Sequence, residues 1–174
     1  SPWLTIWRTW RGSAARSFRS AATLRLAEFS YQFFHGIGLI AKSAGHIAIE
    51  TVLRAAVTAM VEGDVETLKT LIADDVVNHM PGTNQISGDY KGKDQFFADF
   101  FGKLMSLTGG QIAVKPHDIL GNADHAIGVY TWTATRGDRR LEWRQVNVYH
   151  VRDGQLVEIW QHPFDFQRWN EFWS

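Results

Sequence analysis

Apolar residues recur at helical spacing near the start of the main body of the chain. They predict one helix in IAIETVLRAAVTAMVEGD that ends at Gly63, and a second, shorter helix in VETLKTLIADD. A Phe-rich segment, KDQFFADFFGKLMSL, predicts a third helix. Its apolar face turns five residues toward a core: Phe96, Phe97, Phe100, Phe101 and Leu104.

The remaining segments predict a loop and then a run of strands. VVNHMPGTNQISGDYKG is rich in Pro, Gly and Asn, which is typical of a loop with short extended pieces. Alternating apolar and polar positions then predict four strands, in QIAVKPHDILG, HAIGVYTWTATRG, RRLEWRQVNVYHVRDG and QLVEIWQHP. Helices followed by antiparallel strands indicate an α+β fold.

The last strands can be aligned through their turns. A two-residue turn at Asp153-Gly154 would place Tyr149 opposite Glu158, Asn147 opposite Trp160, and Gln145 opposite His162. A similar turn at Gly137-Asp138 would pair Trp132 with Trp143 and Tyr130 with Gln145. Because side chains alternate, one sheet face is expected to mix aromatic and hydrogen-bonding residues. This mixed face would contain Tyr130, Trp132, Trp143, Gln145, Asn147, Tyr149, Glu158, Trp160 and His162.

The opposite face is expected to be plain core, formed by Val129, Val146, Val148, Val157 and Ile159. The mixed face has two interpretations. Aromatic residues with a few polar groups line small-molecule pockets, but they also form subunit interfaces. A face covered by the helices would make a pocket, and a face covered by another chain would make a dimer.

Charge divides the chain into two regions. Residues 1–45 hold six basic residues and one acid, Glu28, for a net charge of +5, so the rest carries −5 because the whole chain is neutral. The neutral total argues against a nucleic-acid partner. We therefore expect a basic helical extension, residues 1–45, and one α+β domain, residues 46–174.

The extension carries Trp3, Trp7 and Trp10 on one helical face. That face would pack on its own domain or a partner subunit, or residues 1–27 would contact a membrane surface. GLIAKSAGHIAI is too short to cross a bilayer, so we expect a soluble or peripheral protein of the cytoplasm or an organelle.

Cofactor and metal sites are not indicated. The chain has no Cys, its seven His residues lack close ligand spacing, and no complete Gly-rich phosphate loop is present. The chemistry expected of the mixed face therefore rests on side chains alone.

The order of motifs carries a family resemblance. NHMPG, YKG and a Phe-rich helix precede strands that end in VRDGQLVEIWQHPFD, and this order resembles the SnoaL-like branch of the nuclear transport factor 2-like superfamily, which includes ketosteroid isomerase. The resemblance covers about residues 47–174. It implies a cone-shaped α+β barrel, in which a curved antiparallel sheet wraps a helix and opens to a pocket, and it implies that dimers are common.

Three residues are candidates for acid-base chemistry. His79 lies where the family pattern places a polar residue at the pocket mouth, and it could exchange a proton near neutral pH or be structural. Glu158, beside Tyr149, would need a hydrogen-bond partner or a raised pKa. His162 could form a dyad with Asp165, or Asp165 could instead cap the C-terminal helix FQRWNEFW.

Two functions remain open from the sequence. One is a cofactor-free isomerase, cyclase or hydratase that binds a small apolar organic molecule, with His79, Glu158 and His162 as catalytic residues. Its ligand-binding residues would be Tyr130, Trp132, Gln145, Asn147, Tyr149 and Trp160. The other is a non-catalytic subunit that docks to a larger assembly or a membrane surface through the basic extension. For either function we expect a homodimer or a subunit of a larger complex.

Overall fold

A curved six-stranded sheet backs the helices in this computed structural model, which describes residues 49–122 and 124–174. The predicted α+β class is confirmed. The strands are β1 (Ile72–Met80), β2 (Gly88–Lys91), β3 (Ile112–Gly121), β4 (His125–Arg136), β5 (Arg139–Arg152) and β6 (Gln155–Pro163). Their order across the sheet is β2-β1-β6-β5-β4-β3, and the sheet is mixed because β1 runs parallel to β6.

Two helices open the described part of the chain. The first, α1, covers residues 49–62 and ends before Gly63, whose φ of 72° suits a residue without a side chain. The second, α2 (Val65–Leu71), is capped at its N-terminus by Asp64, whose Oδ1 accepts from the Thr67 N–H at 3.0 Å. The predicted basic extension, residues 1–45, lies outside the described residues.

Strand β1 corrects one sequence prediction. Its residues were expected to end the second helix and begin a loop. Instead, the chain leaves α2 directly into a nine-residue strand that pairs with β6 on one side and β2 on the other. Asp74 and Asp75 are exposed, as residues at the end of a helix often are. Val76, Asn78 and Met80 are buried at alternate positions, as in a strand.

The Phe-rich segment is helical, as predicted, with a local change of pitch. Gln95–Phe101 is a π-helix that continues into α3 (Gly102–Thr108). In a π-helix residues five apart align, so the Phe96 and Phe101 rings meet edge to face at 5.2 Å. Phe96, Phe100 and Leu104 are buried in the core.

The register of β5 and β6 was predicted correctly only beside their turn. Arg152 faces Gln155 and Val151 faces Leu156, but Val157 is then an extra residue on β6. Beyond this bulge every pair shifts by one. Glu158 pairs with His150, Trp160 with Val148, and His162 with Val146.

This shift changes which side chains share a face. Glu158, Trp160 and His162 lie on the outer face of the sheet, which points away from the helices. Ile159 and Gln161 lie on the inner face, against which the helices pack. The β4–β5 register is as predicted, with Trp132 opposite Trp143 and Tyr130 opposite Gln145. The inner face is therefore the buried one and carries the polar residues.

The expectation of a plain-core face was wrong for its valines on β4 and β5, which lie on the outer face, whereas Ile159 lies on the inner face and is buried in the core. Val129, Val146 and Val148 are half-buried on the outer face, because the helices pack on the opposite side. The short C-terminal helix α4 (Phe166–Trp173) contributes to the inner side, where Trp169, Phe172 and Trp173 are buried. None of the helices in the described ranges has the length and apolar character that a bilayer crossing needs.

Candidate functional site

A cavity of about 70 Å³ lies between the helices and the inner face of the sheet. Apolar side chains form most of its lining, including Leu53 of α1, Phe100 of the π-helix and Leu104 of α3. Its polar contribution comes from the sheet, through Gln145, Asn147, Tyr149 and Gln161. This is the inner cavity.

One row of hydrogen-bonding side chains crosses the inner face. Trp143, Gln145, Asn147 and Tyr149 occupy alternate positions of β5, so all four point to the same side. Gln161 of β6 and Asn78 of β1 extend the row across two more strands. These six residues form the amide ladder, and all of them are buried.

The direction of every bond in the amide ladder follows from Trp143. An indole N–H can only donate, so Gln145 must present Oε1 to Trp143, at 2.9 Å. The Nε2 of Gln145 then donates to Asn147 Oδ1 at 2.7 Å and to Gln161 Oε1 at 2.8 Å.

Asn147 and Gln161, whose oxygens accept from Gln145, use their amide nitrogens as donors to the next residues. Asn147 Nδ2 donates to the Tyr149 hydroxyl at 3.0 Å, and Gln161 Nε2 donates to Asn78 Oδ1 at 2.8 Å. Each amide therefore has one orientation that satisfies its neighbours, and the ladder presents a fixed pattern of donors and acceptors beside the cavity.

Tyr130 supports the ladder from the neighbouring strand. Its hydroxyl lies 2.9 Å from that of Tyr149. Burial raises the pKa of Tyr149 to about 12, although hydrogen bonds with Tyr130 and Asn147 oppose the rise. Burial, together with Tyr149, raises the pKa of Tyr130 well above its ordinary value. Both phenols are therefore neutral near pH 7.

Gly128 makes room for Tyr130. A Cβ atom added at Gly128 would overlap the Tyr130 hydroxyl and lie 2.7 Å from its Cε2 atom. Only Gly leaves this space on the inner face, so the position of the Tyr130 ring depends on a missing side chain two residues away.

The predicted ligand-binding residues divide into two groups. Trp132, Gln145, Asn147 and Tyr149 line the inner cavity, with Tyr130 joined to them through Tyr149. Trp160 lies on the outer face because of the β6 bulge. The sequence pattern did not indicate Gln161, because the predicted register placed it outside, or Asn78, because β1 was not expected.

The three predicted catalytic residues lie on the outer face. His79 Nδ1 is 2.8 Å from Asp89 Oδ1, and its Nε2 is 2.9 Å from Glu158 Oε1. His150 Nδ1 is 3.4 Å from the other Glu158 oxygen. The Trp160 ring stacks on His79 at 5.4 Å and meets His150 edge to face at 4.8 Å. We call these five residues the outer histidine cluster.

His79 bridges two carboxylates on neighbouring strands. Burial lowers the pKa of His79, but hydrogen bonds with Glu158 and Asp89, aided by their charges, outweigh burial and raise it. Carboxylates only accept, so both ring nitrogens can donate only in the imidazolium form. The cluster therefore links β2, β1 and β6 most strongly when His79 is charged.

His162 and Asp165 do not form the hypothesised dyad. His162 is exposed, and Asp165 caps α4, with its Oδ1 accepting from the Arg168 N–H at 3.2 Å. Among residues 49–122 and 124–174, no group of three or more His, Asp or Glu side chains is arranged to hold a metal ion.

Comparisons with known proteins agree on the fold. A family model described as a SnoaL-like domain matches residues 53–159. An uncharacterized protein of Mycobacterium tuberculosis is 27% identical over 123 residues, which make up 70% of this chain and 93% of that protein.

Solved structures extend the comparison. Bal32a, from a soil-derived mobile gene cassette, matches with a TM-score of 0.70 and 30% identity over 75% of this chain and 99% of its own. An NTF2-like protein of unknown function from Burkholderia pseudomallei has a TM-score of 0.64 and 18% identity, over 73% and 98%. The second similarity concerns the fold alone.

Proposed function

The chain belongs to the SnoaL-like family, as its motif order predicted, and we propose that it binds a small, neutral, largely apolar organic molecule in the inner cavity. The observation that carries this proposal is the lining: apolar walls and one oriented row of uncharged hydrogen-bonding groups. Such a combination is typical of sites that hold small molecules by shape and a few placed polar contacts.

The lining favours a neutral ligand. None of the described residues around the inner cavity has an ionisable carboxylate, imidazole, ammonium or guanidinium group. A charged ligand would lose its hydration without gaining an opposite charge, which is strongly unfavourable. A neutral molecule avoids that cost.

The size of the cavity favours a small ligand. Pockets for drug-sized molecules occupy roughly 300–1,000 Å³, and the inner cavity has about 70 Å³. Met60 and Met80 are part of its wall. Because Met side chains are flexible, these two can shift to accept a somewhat larger molecule.

The same lining supports binding over acid-base catalysis. Tyr149 is the described cavity residue with a titratable proton, and its pKa of about 12 keeps it protonated near neutral pH, so it neither accepts a proton nor releases one readily. His79, Glu158 and His162 are separated from the cavity by the sheet. An isomerase, cyclase or hydratase reaction that used them would require a second site on the outer face.

Retention of a ligand tests the proposal. Native mass spectrometry of protein purified from its source should show a mass above that of the chain, which organic extraction removes. The variant Ala56→Leu fills part of the cavity from α1 and should retain less of the molecule. The outer-face variant Val148→Leu is the matched control and should retain as much as the wild type. Equal retention by the Ala56→Leu variant would argue for another site.

Docking through the basic extension is a second candidate. It rests on the +5 charge of residues 1–45 and on the spacing of Trp3, Trp7 and Trp10, which would share one face if this segment were a helix. Deletion of residues 1–27 should then release the protein from its partner or membrane fraction. Unchanged fractionation would count against docking.

A further inference from the structure

Strand β5 extends beyond its neighbour β6. β5 covers Arg139–Arg152, but β6 pairs with it only from Gln145 to Arg152. β6 ends at Pro163, and the chain then turns into α4. Residues 139–144 of β5 therefore pair with β4 on one side and with no strand of the described chain on the other. We call residues 139–144 the free edge.

The ladder between β4 and β5 shows which main-chain groups point out of the free edge. Thr135 pairs with Arg140, and its N–H donates in the opposite direction, to Gln111 O at 2.9 Å. Antiparallel residues that do not bond to each other direct their main-chain groups away from one another, so Arg140 directs its groups out of the free edge. Because the direction alternates along a strand, Glu142 does the same.

The end of the free edge confirms this direction. Arg144 O accepts from the Phe164 N–H at 2.9 Å, on the side where β6 ends. A cleft of about 230 Å³ separates residues 141–144 from the start of α4. Within the described residues, no hydrogen bond reaches the outward main-chain groups of Arg140 or Glu142. An unpaired donor and acceptor on each residue therefore face open space.

Charges alternate along the same stretch. Asp138 in the turn, then Arg140, Glu142 and Arg144, carry negative, positive, negative and positive charge at every second position. The three strand residues are exposed, and none of them joins an ion pair with another described residue. A row of like charges prevents two edges from pairing. An alternating row is instead complementary to an antiparallel copy of itself.

We propose that the free edge pairs with the free edge of a second copy of this chain, antiparallel and centred on Leu141. Arg140 of each copy then lies opposite Glu142 of the other. Both residues direct their N–H and C=O groups to the edge, so each pair exchanges two main-chain hydrogen bonds and brings opposite charges together. The same register brings Arg144 toward the turn residue Asp138 of the second copy, again with opposite sign. This inference does not depend on the proposed function.

The charges select one register. Centring the pair on Arg140 would place that residue opposite its own copy. Centring it on Glu142 would do the same for Glu142 and would also place Arg140 opposite Arg144. Like charges directly opposite each other are destabilising. The arrangement centred on Leu141 is therefore favoured over both of its neighbours.

Charge reversal tests the pairing in the full chain. Sedimentation velocity over a range of concentrations should show a reversible monomer–dimer equilibrium, because so short an interface belongs to the transient class. Glu142→Arg and Arg140→Glu each place like charges opposite one another at both pairs, and each should weaken association at least about tenfold. Lys103→Glu, an exposed charge reversal on α3, is the control and should dimerise like the wild type.

The two reversed variants should rescue each other. A chain with both changes regains opposite charges at each pair and should dimerise like the wild type. An equimolar mixture of Glu142→Arg and Arg140→Glu should also dimerise, because one chain then brings two positive charges and the other two negative charges. Loss of stability in either variant would not be repaired by mixing. Circular dichroism first shows that each chain is folded.

Single cysteines test the register, because the chain has no Cys of its own. Only the central residue faces its own copy. Leu141→Cys should therefore form a disulfide-linked dimer under mild oxidation much faster than Arg140→Cys or Glu142→Cys. Leu141 is buried, so the charge reversals decide the pairing if Leu141→Cys does not fold.

The outcomes are distinct. Association that is lost in the single reversals and regained in their mixture supports the proposal. A monomer at every concentration would overturn it. A dimer that both reversals leave unchanged would overturn it as well, because the two copies would then meet at another surface. Fastest cross-linking at Arg140 or Glu142 would overturn the register centred on Leu141.

Discussion

Trp143 donates its indole N–H to Gln145 Oε1 across 2.9 Å, and this contact sets the orientation of the whole amide ladder. Gln145 is the branch point, because it joins Trp143, Asn147 and Gln161. The inner face of the sheet thus holds a polar network inside an otherwise apolar core. Such a network is stable only while all its members are present.

Replacing Gln145 by Leu should destabilise the fold strongly. The change leaves a donor on Trp143 and acceptors on Asn147 and Gln161 buried without partners, and each costs about 1–3 kcal/mol. We expect the free energy of unfolding, measured by urea denaturation, to fall by about 3 kcal/mol or more. The exposed Gln167→Leu variant is the control and should stay within about 0.5 kcal/mol of the wild type. A loss below about 1 kcal/mol for Gln145→Leu would contradict the network.

Gly128→Ala should disturb the cavity wall through Tyr130. The added Cβ would overlap the Tyr130 hydroxyl, so we expect a loss of about 1–3 kcal/mol in the free energy of unfolding. Tyr130→Phe should not rescue it fully, because Cε2 would still lie 2.7 Å from the new atom. Gly102→Ala is the matched control. Its Cβ would lie 3.7 Å from the Phe97 carbonyl, an ordinary contact, and the change should stabilise α3 by about 0.5–1 kcal/mol.

The outer histidine cluster should make stability depend on pH. The pKa of His79 is raised in the folded protein above its unfolded value of 6.5. The contribution of protonated His79 is therefore full below pH 6.5 and is lost as the pH rises through the folded pKa. Urea denaturation from pH 5.5 to 8.5 should show a difference between wild type and His79→Gln that shrinks with rising pH. A stability difference that grows with rising pH would contradict the predicted stabilisation by protonated His79.

Asp165→Ala should weaken α4 by removing its N-cap. The Asp165 carboxylate accepts from the Arg168 N–H, and loss of such a cap costs about 1 kcal/mol. Asp165→Asn keeps an accepting oxygen and should remain close to the wild type. Thermal unfolding compares the two variants. Equal losses of stability in the two variants would show that the Asp165 charge, and not the N-cap hydrogen bond, stabilises α4.

The sequence predicted best what depends on one strand alone. Alternation along β5 is enough to place Trp143, Gln145, Asn147 and Tyr149 on one face, and a single short turn sets the β4–β5 register. The same logic failed on β6, because the bulge at Val157 adds one residue that leaves no mark in the hydrophobic pattern. Leu156 and Trp160 are apolar in one alternating set and Val157 and Ile159 in the other, so either face could have been the buried one.

The sequence pattern did not predict strand β1 for a different reason. β1 pairs in parallel with β6 about 80 residues later in the chain, as at His79 and Trp160, and such long-range pairing leaves no local signal. Its exposed Asp74 and Asp75 resemble the end of a helix. Asn78 and the contacts of His79 with Asp89 and Glu158 could not be assigned without that strand.

Binding to paired variants tests the central claim most directly. The dissociation constant of a molecule retained from the source is measured by calorimetry for the wild type, Ala56→Leu and Val148→Leu, each first shown to be folded. If the inner cavity is the site, Ala56→Leu should weaken binding at least about tenfold and Val148→Leu should leave it unchanged. Unchanged binding by Ala56→Leu, or a loss confined to Val148→Leu, would contradict the claim and move the site to the outer face.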